Sequence, residues 1–323
     1  MADDVLKTIG EIGLVPVIKI EDPKDAVPLV KALQAGDLPV AEVTFRTAAA
    51  EESIKRINAE VKDMLLGAGT VLTVDQVKKA VAAGAKFIVS PGFNPKVVEY
   101  CVKEGIPITP GINNPSGIEQ ALEFGLKVLK FFPAENSGGL AMLKAMAAPY
   151  GGVSFIPTGG INQNNMASYL AWNKIVAVGG SWMVPADLIS AGKFDEITRL
   201  TAAATAAVHG AELFHVGINH PDAAAAMKTS DWLFKFFKLE PNRDGESAIF
   251  AGKLFEVMKH SKRGTHGHIG IGVNSVERGI AAFKRKGIAI QEDTIRKDAS
   301  GNMLIAYLDI EVAGFAWHLS RKA

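Results

Sequence analysis

The chain has 323 residues, of which 48% are apolar, and a formal net charge of +1. This length predicts about two domains, and the interspersed charges argue against nucleic acid as a partner, which would require a basic patch. No apolar run approaches the ~20 residues of a membrane span, residues 1–5 do not begin like a secretory signal, and the single cysteine, Cys101, cannot form an internal disulfide. We therefore expect a cytoplasmic protein without a membrane partner.

Short β-rich runs alternate with amphipathic helical patterns in the first two thirds of the chain. Several helical patterns end at a glycine, such as Gly36 or Gly84, as helices often do. This alternation predicts a parallel sheet, and eight units in roughly 200 residues favour a (β/α)8 TIM barrel over residues 1–208. The predicted strands are 14–20, 40–47, 64–72, 86–93, 107–112, 128–134, 154–161 and 175–182.

Chemically unusual residues occur where these strands end, which is where such barrels carry their chemistry. Glu42 and Arg46 share one face of the second strand, because side chains alternate along a strand. Charged side chains that point into a barrel are improbable as ordinary core residues, so we expect a functional role for both. The alternative is a structural ion pair between Glu42 and Arg46. Glycines end the seventh and eighth strands, and the loops after these strands frequently bind phosphate in such barrels.

Lys130 lies inside an apolar run, residues 128–134, that otherwise predicts a buried strand. Burial disfavours the charged form of an amine, and a neutral amine is the nucleophile that forms a Schiff base with a ketone. The alternative is a lysine whose stem packs in the core while its ammonium group reaches water.

These segments together resemble the 2-keto-3-deoxy-6-phosphogluconate (KDPG) and 4-hydroxy-2-oxoglutarate (KHG) aldolase family. The resemblance covers residues 5 to about 205, and the segments occur in the family's order. As a set they are highly specific, although a single piece such as TGGI occurs in unrelated barrels. The matching stretches are EVTFRT at 42–47, GAGTVL at 67–72, SPG at 90–92, PGI at 110–112, KFFPAE at 130–135, PTGGI at 157–161 and GGSWMVP at 179–185.

The resemblance implies a class I aldolase that cleaves a 2-keto-4-hydroxy acid to pyruvate and an aldehyde without a cofactor. It implies that Lys130 forms the Schiff base, that Glu42 is the general acid/base, and that Arg46 holds the substrate carboxylate. It also implies a homotrimer. The remaining implied site residues are Thr70 near the pyruvyl group, Pro91 and Phe132 in the pocket wall, and Thr158, Gly159, Gly160 and Ser181 at the phosphate or distal end of the substrate.

Two other interpretations of the barrel stay open at this point. The same lysine and glutamate suit decarboxylation or isomerisation of a keto acid. The chain also suits a sugar-acid-binding protein without turnover, although binding alone does not require a buried amine.

Residues 211–323 form a second predicted domain with an internal repeat. Residues 214–218 pair with 267–271, and residues 251–258 pair with 313–320. Each half is predicted to contain a strand, a helix and further strands, with helices near 221–239 and 275–286. This smaller α+β domain resembles the paired βαβββ modules of the glyoxalase and vicinal-oxygen-chelate superfamily.

That second resemblance implies metal ligands on the first and last strands of each module, here His215, Glu256, His268 and His318. All four are residue types that bind divalent metals such as Zn, Ni, Mn or Fe. The alternative is that the histidines hydrogen-bond locally in a module that binds ligands without metal. The domain could therefore be an isomerase, lyase or dioxygenase, or a binding module.

Overall fold

The computed structural model describes residues 2–243 and 245–322, which form two compact units, Met1–Val208 and His209–Ala323. Among the described residues, no helix is both long enough and apolar enough to cross a bilayer.

The first unit is the (β/α)8 barrel that the sequence predicts. Its parallel strands run in the order β5-β4-β3-β2-β1-β9 in one sheet and β6-β7-β8 in another. Isolated parallel β-bridges pair Phe155 with Ile175 and Thr158 with Gly179, and they connect the β8 side of one sheet to the β9 side of the other. The strands are β1 (Leu14–Ile18), β2 (Val40–Thr44), β3 (Leu65–Gly69), β4 (Phe87–Val89), β5 (Ile108–Thr109), β6 (Gly111–Ile112), β7 (Val128–Phe131), β8 (Ser154–Pro157) and β9 (Val178–Gly180).

Helices follow the strands and cover the sheet. Apolar residues of these helices, such as Leu33 and Ile54, are fully buried, and each such side chain contributes about 1.5–3 kcal/mol through removal from water. The helices are α1 (Ala2–Ile12), α2 (Ala26–Ala35), α3 (Ala50–Glu60), α4 (Val74–Ala83), α5 (Pro95–Lys103), α6 (Pro115–Glu123), α7 (Gly139–Ala147), α8 (Met166–Leu170), α9 (Ala186–Ser190) and α10 (Phe194–His209), with 3-10 turns at Pro23–Asp25 and Glu135–Ser137.

Side-chain caps set where the helices after the central strands begin. Thr73, Asn94 and Asn114 each accept a hydrogen bond from a backbone N–H in the first turn of α4, α5 and α6. Such caps satisfy backbone donors that have no partner within the helix. The strands β3, β4 and β6 therefore pass into their helices through short, defined turns.

All eight predicted strands are longer than the observed ones, and for two of them the backbone shows why. The third was predicted over 64–72 but ends at Gly69, because Thr70 has a left-handed φ of 55° that no strand accommodates. The fifth, predicted as one run over 107–112, is interrupted at Pro110, which has no N–H to donate to a neighbouring strand.

The second unit consists of two βαβββ modules in succession, as the repeat predicts. Its strands form one sheet in the order β11-β12-β13-β10-β14-β17-β16-β15. The two modules meet where β10 pairs antiparallel with β14. The elements are β10 (Glu212–Ile218), α11 (Ala223–Phe237), β11 (Pro241–Asn242), β12 (Ala248–Ala251), β13 (Phe255–Met258), β14 (Gly267–Val273), α12 (Val276–Arg285), β15 (Ile290–Lys297), β16 (Met303–Val312) and β17 (Phe315–Arg321).

Both helices of the second unit pack on the same face of this sheet. Leu233 of α11 packs in a cluster with Ile249 and Val257, and Ile280 of α12 packs in a cluster with Leu308 and Leu319. Because side chains alternate along a strand, the residues between these positions point to the opposite face. We call this opposite face the helix-free face.

Candidate functional site

Lys130 lies on β7 inside the barrel, and its side chain is only 7% exposed. Its backbone pairs with Gly111 of β6 on one side and with Ile156 of β8 on the other. Its Nζ atom lies 3.5 Å from Oε1 of Glu42 and 5.3 Å from the centre of the Phe132 ring. With so little exposure, the side chain does not extend into solvent as the alternative interpretation of the sequence requires.

Glu42 reaches Lys130 from β2, and its side chain is 4% exposed. A lysine and a glutamate in contact at this depth require good geometry, since both side chains lose their hydration. Gly69 of β3 makes this geometry feasible: a Cβ atom there would lie 2.1 Å from Oε1 of Glu42 and 2.6 Å from its Cγ. Gly69 is thus a positioning residue that the sequence analysis noted only as part of a motif.

Arg46 is exposed and lies in the turn after β2. Its Nε donates to Oγ1 of Thr44 at 3.1 Å, and the Thr44 hydroxyl donates to the carbonyl of Ile18 at 2.7 Å. Within the described part of the chain, no ion pair joins Arg46 to Glu42, so the structural pair considered from the sequence does not form. The two terminal nitrogens of Arg46 can accordingly donate hydrogen bonds to a substrate carboxylate. The hydrogen bond from Nε to Thr44 orients the guanidinium for this.

Thr70 follows β3 in a left-handed conformation. For a β-branched residue this conformation is a genuine outlier, with a cost of about 1–3 kcal/mol that persists only where the surroundings impose it. The next residue, Val71, is fixed by a hydrogen bond from its N–H to the carbonyl of Val89. Strain of this kind clusters at ligand sites, which fits the predicted place of Thr70 beside the substrate.

Pro91 and Phe132, the two predicted pocket residues, line one cavity of about 500 Å³. This volume suits a small metabolite, since ligand pockets commonly span about 300–1,000 Å³. Phe132 connects the cavity to the lysine, because its ring also lies against the Lys130 amine. The rest of the wall comes from Gly92, Phe93, Gly111, Ile112, Asn113, Asn114, Ser116, Gly117, Gln120 and Pro133.

The residues predicted for the distal end of the substrate follow β8 and β9. Gly159 and Gly160 have φ angles of 97° and 80°, which favour glycine. A Cβ at Gly159 would come within 3.4 Å of the Phe132 ring, so this turn lies beside the cavity wall. Thr158 is buried and bridges to β9, and Ser181 is exposed just after β9. Across the described ranges, neither Ser181 nor Arg46 is hydrogen-bonded to Lys130.

The predicted metal ligands of the second unit converge on the helix-free face. His215, His268 and His318 lie on β10, β14 and β17, and their ligand atoms lie within 4.8 Å of one another. Nε2 of His215 is 3.1 Å from Nε2 of His268 and 3.1 Å from Nε2 of His318. Glu256 on β13 places Oε2 3.0 Å from Nε2 of His268 and 3.4 Å from Nε2 of His215.

Two glycines make room for these rings. His215 pairs with Gly270 across the junction of the modules, and Gly217 pairs with His268. A Cβ at Gly217 would lie 2.1 Å from the His268 ring, and one at Gly270 would lie 2.9 Å from the rings of both His215 and His318. The pattern His-x-Gly, present at 215–217 and again at 268–270, is the sequence signal from which this reciprocal packing could have been predicted.

The protonation states of the cluster suit metal binding. Burial lowers the pKa of His215 and lowers the pKa of His318 to about 3, which leaves neutral imidazoles, the form that binds metals. Burial alone would raise the pKa of Glu256, but the hydrogen bond with His268 and the charges of the histidines lower that pKa overall. Oγ of Ser320 lies 3.2 Å from Nδ1 of His318, the kind of second contact that orients a histidine ligand.

The distances also fit a single ion. Atoms that each lie about 2.0–2.1 Å from one metal ion are themselves about 2.9–3.4 Å apart in octahedral or tetrahedral sites. Four of the six distances among these three nitrogens and the Glu256 oxygen, those from His215 to the other three atoms and from His268 to Glu256, are 3.0 to 3.4 Å and fall in that range.

The family model described as KDPG and KHG aldolase matches residues 5–200, more than half of the chain. The chain belongs to this family. A 2-dehydro-3-deoxy-phosphogluconate aldolase of Treponema pallidum is 53% identical over 197 residues, which are 61% of this chain and 94% of that protein. A KHG/KDPG aldolase of Escherichia coli K12 is 44% identical over 212 residues, which are 66% of this chain and 97% of that protein.

A solved structure of the same family matches the barrel as well. The KDPG aldolase of Legionella pneumophila, with pyruvate captured as a covalent carbinolamine intermediate, is 40% identical with a TM-score of 0.60. The match covers 62% of this chain and 97% of that one. The aldolase resemblance and the barrel fold are thereby confirmed.

Proposed function

We propose that the first unit is a class I aldolase that cleaves KDPG to pyruvate and glyceraldehyde 3-phosphate. The observation that carries this proposal is the buried Lys130 amine, 3.5 Å from the Glu42 carboxylate and in contact with the cavity wall at Phe132. The relatives named as aldolases, and the covalent pyruvate intermediate of the Legionella enzyme, support it. The E. coli relative, named for both substrates, supports cleavage of KHG to pyruvate and glyoxylate as a second activity.

The geometry suggests the following sequence of steps. The lone pair of the Lys130 Nζ atom attacks the C2 ketone, and loss of water from the carbinolamine gives an iminium ion. Glu42 removes the proton of the C4 hydroxyl, directly or through a water molecule, and the C3–C4 bond breaks with its electrons passing to the iminium nitrogen. The aldehyde leaves, Glu42 returns a proton to C3 of the enamine, and hydrolysis releases pyruvate and the free lysine.

The remaining residues are proposed to bind the substrate. Arg46 pairs with the C1 carboxylate through two parallel hydrogen bonds, an arrangement that suits the planar guanidinium. Thr70, Pro91 and Phe132 surround the pyruvyl group. At the distal end of the substrate, backbone N–H groups of the turn at Gly159 and Gly160 bind the phosphate, since glycine allows the backbone to approach an anion closely. That end consists of Thr158, Gly159, Gly160 and Ser181.

Borohydride trapping with pyruvate tests the Schiff base. We expect a reduced pyruvyl adduct on Lys130 by intact mass and peptide mapping, and no adduct in Lys130→Ala. Lys127→Ala, which removes an exposed lysine just before β7, is the matched control and should retain the adduct. An adduct on a different lysine, or none, would refute the mechanism.

Product analysis separates cleavage from the rival activities. Pyruvate plus glyceraldehyde 3-phosphate should give a condensation product in the reverse direction. Release of carbon dioxide from keto acids, or rearrangement without cleavage, would instead favour a decarboxylase or an isomerase. Binding without turnover would favour the sugar-acid-binding alternative. The family resemblance extends the proposal to a homotrimer, which sedimentation velocity on the full chain tests directly.

We propose further that the second unit is a glyoxalase-like module whose His215, Glu256, His268 and His318 hold one divalent metal ion. The position of the His215 Nε2 atom, 3.1 Å from the Nε2 atoms of both His268 and His318, supports this proposal. A bound divalent ion supplies Lewis acidity toward oxygen ligands. The protein's part is to hold the ligands neutral or anionic and to orient His318 through Ser320.

Metal analysis of the full chain tests this second proposal. Refilling a chelator-treated sample should give about one ion per chain by mass spectrometry. His215→Ala and His268→Ala should lose that ion, and His260→Ala, which changes an exposed histidine outside the cluster, should keep it. Equal metal content in all variants would refute the assignment.

A further inference from the structure

Tyr307 stands next to the histidine cluster on the helix-free face. It lies on β16 directly opposite His318 of β17. Its ring centre is 4.7 Å from that of His318 and 6.1 Å from that of His268. Neither the aldolase proposal nor the four proposed metal ligands assign it a role.

Tyr307 is half-buried, and its hydroxyl makes no hydrogen bond within residues 2–243 and 245–322. The hydroxyl is not among the buried polar atoms that lack a partner, so it is open to solvent and exchanges only water when a ligand binds. This hydroxyl is therefore a donor available to a ligand at the cluster.

Arg263 adds a positive charge at the same place. It extends from the loop between β13 and β14, and its guanidinium carbon lies 5.0 Å from the centre of the Tyr307 ring. It donates to the side-chain oxygen of Gln291, which shares this face because it pairs with Tyr307. Its ion-pair partner, Asp293, is 3.4 Å away and 77% exposed.

The exposed ion pair leaves Arg263 able to bind another anion. Exposed pairs of this kind contribute about 0–1 kcal/mol, so a ligand carboxylate can replace Asp293 at little cost. The contacts of the Arg263 guanidinium with the Tyr307 ring and with Gln291 hold its N–H donors in place. Less side-chain entropy is therefore lost when an anion binds. Glu256 neutralises only part of the charge of a divalent ion at the cluster, so the local charge also favours an anionic ligand.

We propose that Arg263 and Tyr307 form the anion-binding subsite of the second unit. They hold a carboxylate of a small organic acid whose other oxygen atoms face the histidine cluster. This inference rests on the proposed metal site. A carboxylate fits better than a phosphate, because one guanidinium fork and one phenol match the two oxygens of a monoanion and leave a phosphate dianion short of donors.

Cobalt-loaded full-length protein provides the test, with oxalate as the probe. The visible absorption of bound Co²⁺ responds only to ligands at the metal, so binding in the barrel does not contribute to the signal. We expect oxalate to change this absorption at saturation. Arg263→Gln should raise the oxalate Kd about 10-fold or more, and Tyr307→Phe about 5-fold, as for hydrogen bonds to charged groups.

Two further variants keep the test decisive. Arg285→Gln removes the same charge from α12, on the opposite face of the sheet, and should leave the oxalate Kd unchanged. Arg263→Lys keeps the charge without the planar fork and should bind oxalate with intermediate strength. It serves as the test variant if Arg263→Gln does not fold by circular dichroism.

The outcomes separate this inference from the metal proposal. If no Co²⁺ binds, the metal site itself is refuted. If Co²⁺ binds and the oxalate Kd is the same in wild type, Arg263→Gln and Tyr307→Phe, the anion subsite is refuted while the metal site stands. If inorganic phosphate binds more tightly than oxalate and depends on Arg263, the assignment to a carboxylate is overturned.

Discussion

Replacement of Gly69 by alanine should disable the barrel's chemistry without touching the lysine. The added Cβ would lie 2.1 Å from Oε1 of Glu42 and 2.7 Å from its Cδ. An ordinary contact requires about 3.4 Å or more, so the carboxylate must move by about 1 Å. Glu42 is almost fully buried, so the displacement cannot be absorbed by turning into solvent, and it changes the 3.5 Å contact with Lys130.

The expected size of the effect follows from this displacement. Misplacing a reacting group by about 1 Å costs on the order of 10²-fold in rate, so kcat for KDPG cleavage should fall about 100-fold. The crowding itself should lower the free energy of unfolding by about 1–3 kcal/mol, as overpacking of a core does. Schiff-base formation with pyruvate should persist, because the amine keeps its place on β7.

A coupled assay measures both consequences. Pyruvate release is followed with lactate dehydrogenase, borohydride trapping reports the Schiff base, and denaturant unfolding reports stability. Gly151→Ala is the control, because a Cβ at Gly151 meets no atom within 4 Å, and it should behave as wild type. A folded Gly69→Ala variant with wild-type kcat would show that the position of the Glu42 carboxylate does not limit cleavage.

Three other changes have defined expected results. Arg46→Gln should raise the KM for KDPG about 10-fold or more, because a hydrogen-bonded charge that holds the carboxylate is lost; steady-state kinetics checks this, and an unchanged KM would contradict the role. Gly217→Ala should abolish metal uptake, since its Cβ would lie 2.1 Å from the His268 ring; retained metal would contradict the packing. The Cys101 thiol, whose pKa burial raises to about 12, should resist Ellman's reagent at pH 8 until denaturant is added, because the thiolate is the reactive form. Rapid native labelling would show that Cys101 is accessible.

Much of the local architecture could be predicted from the sequence, because short-range rules govern it. Strand–helix alternation identified the barrel, and the repeat identified two modules with their helices. The ends of β3 and β5 were less predictable. The left-handed conformation of Thr70 is imposed by surrounding structure, and no pattern in the sequence indicates it.

The residue types available for chemistry can be read from the chain alone: an amine in an apolar strand, a glutamate and an arginine on one face of another strand, and histidines on repeated strands. Their distances depend on the folded arrangement. Glu42 and Lys130 are 88 residues apart, and His215 and His318 are 103 apart, so their contact depends on closure of a barrel and pairing of two modules. Arg263 and Tyr307 meet for the same reason, since a loop and a distant strand carry no shared sequence signal. Local propensity acts over a few residues, whereas a site is assembled by packing across the whole fold.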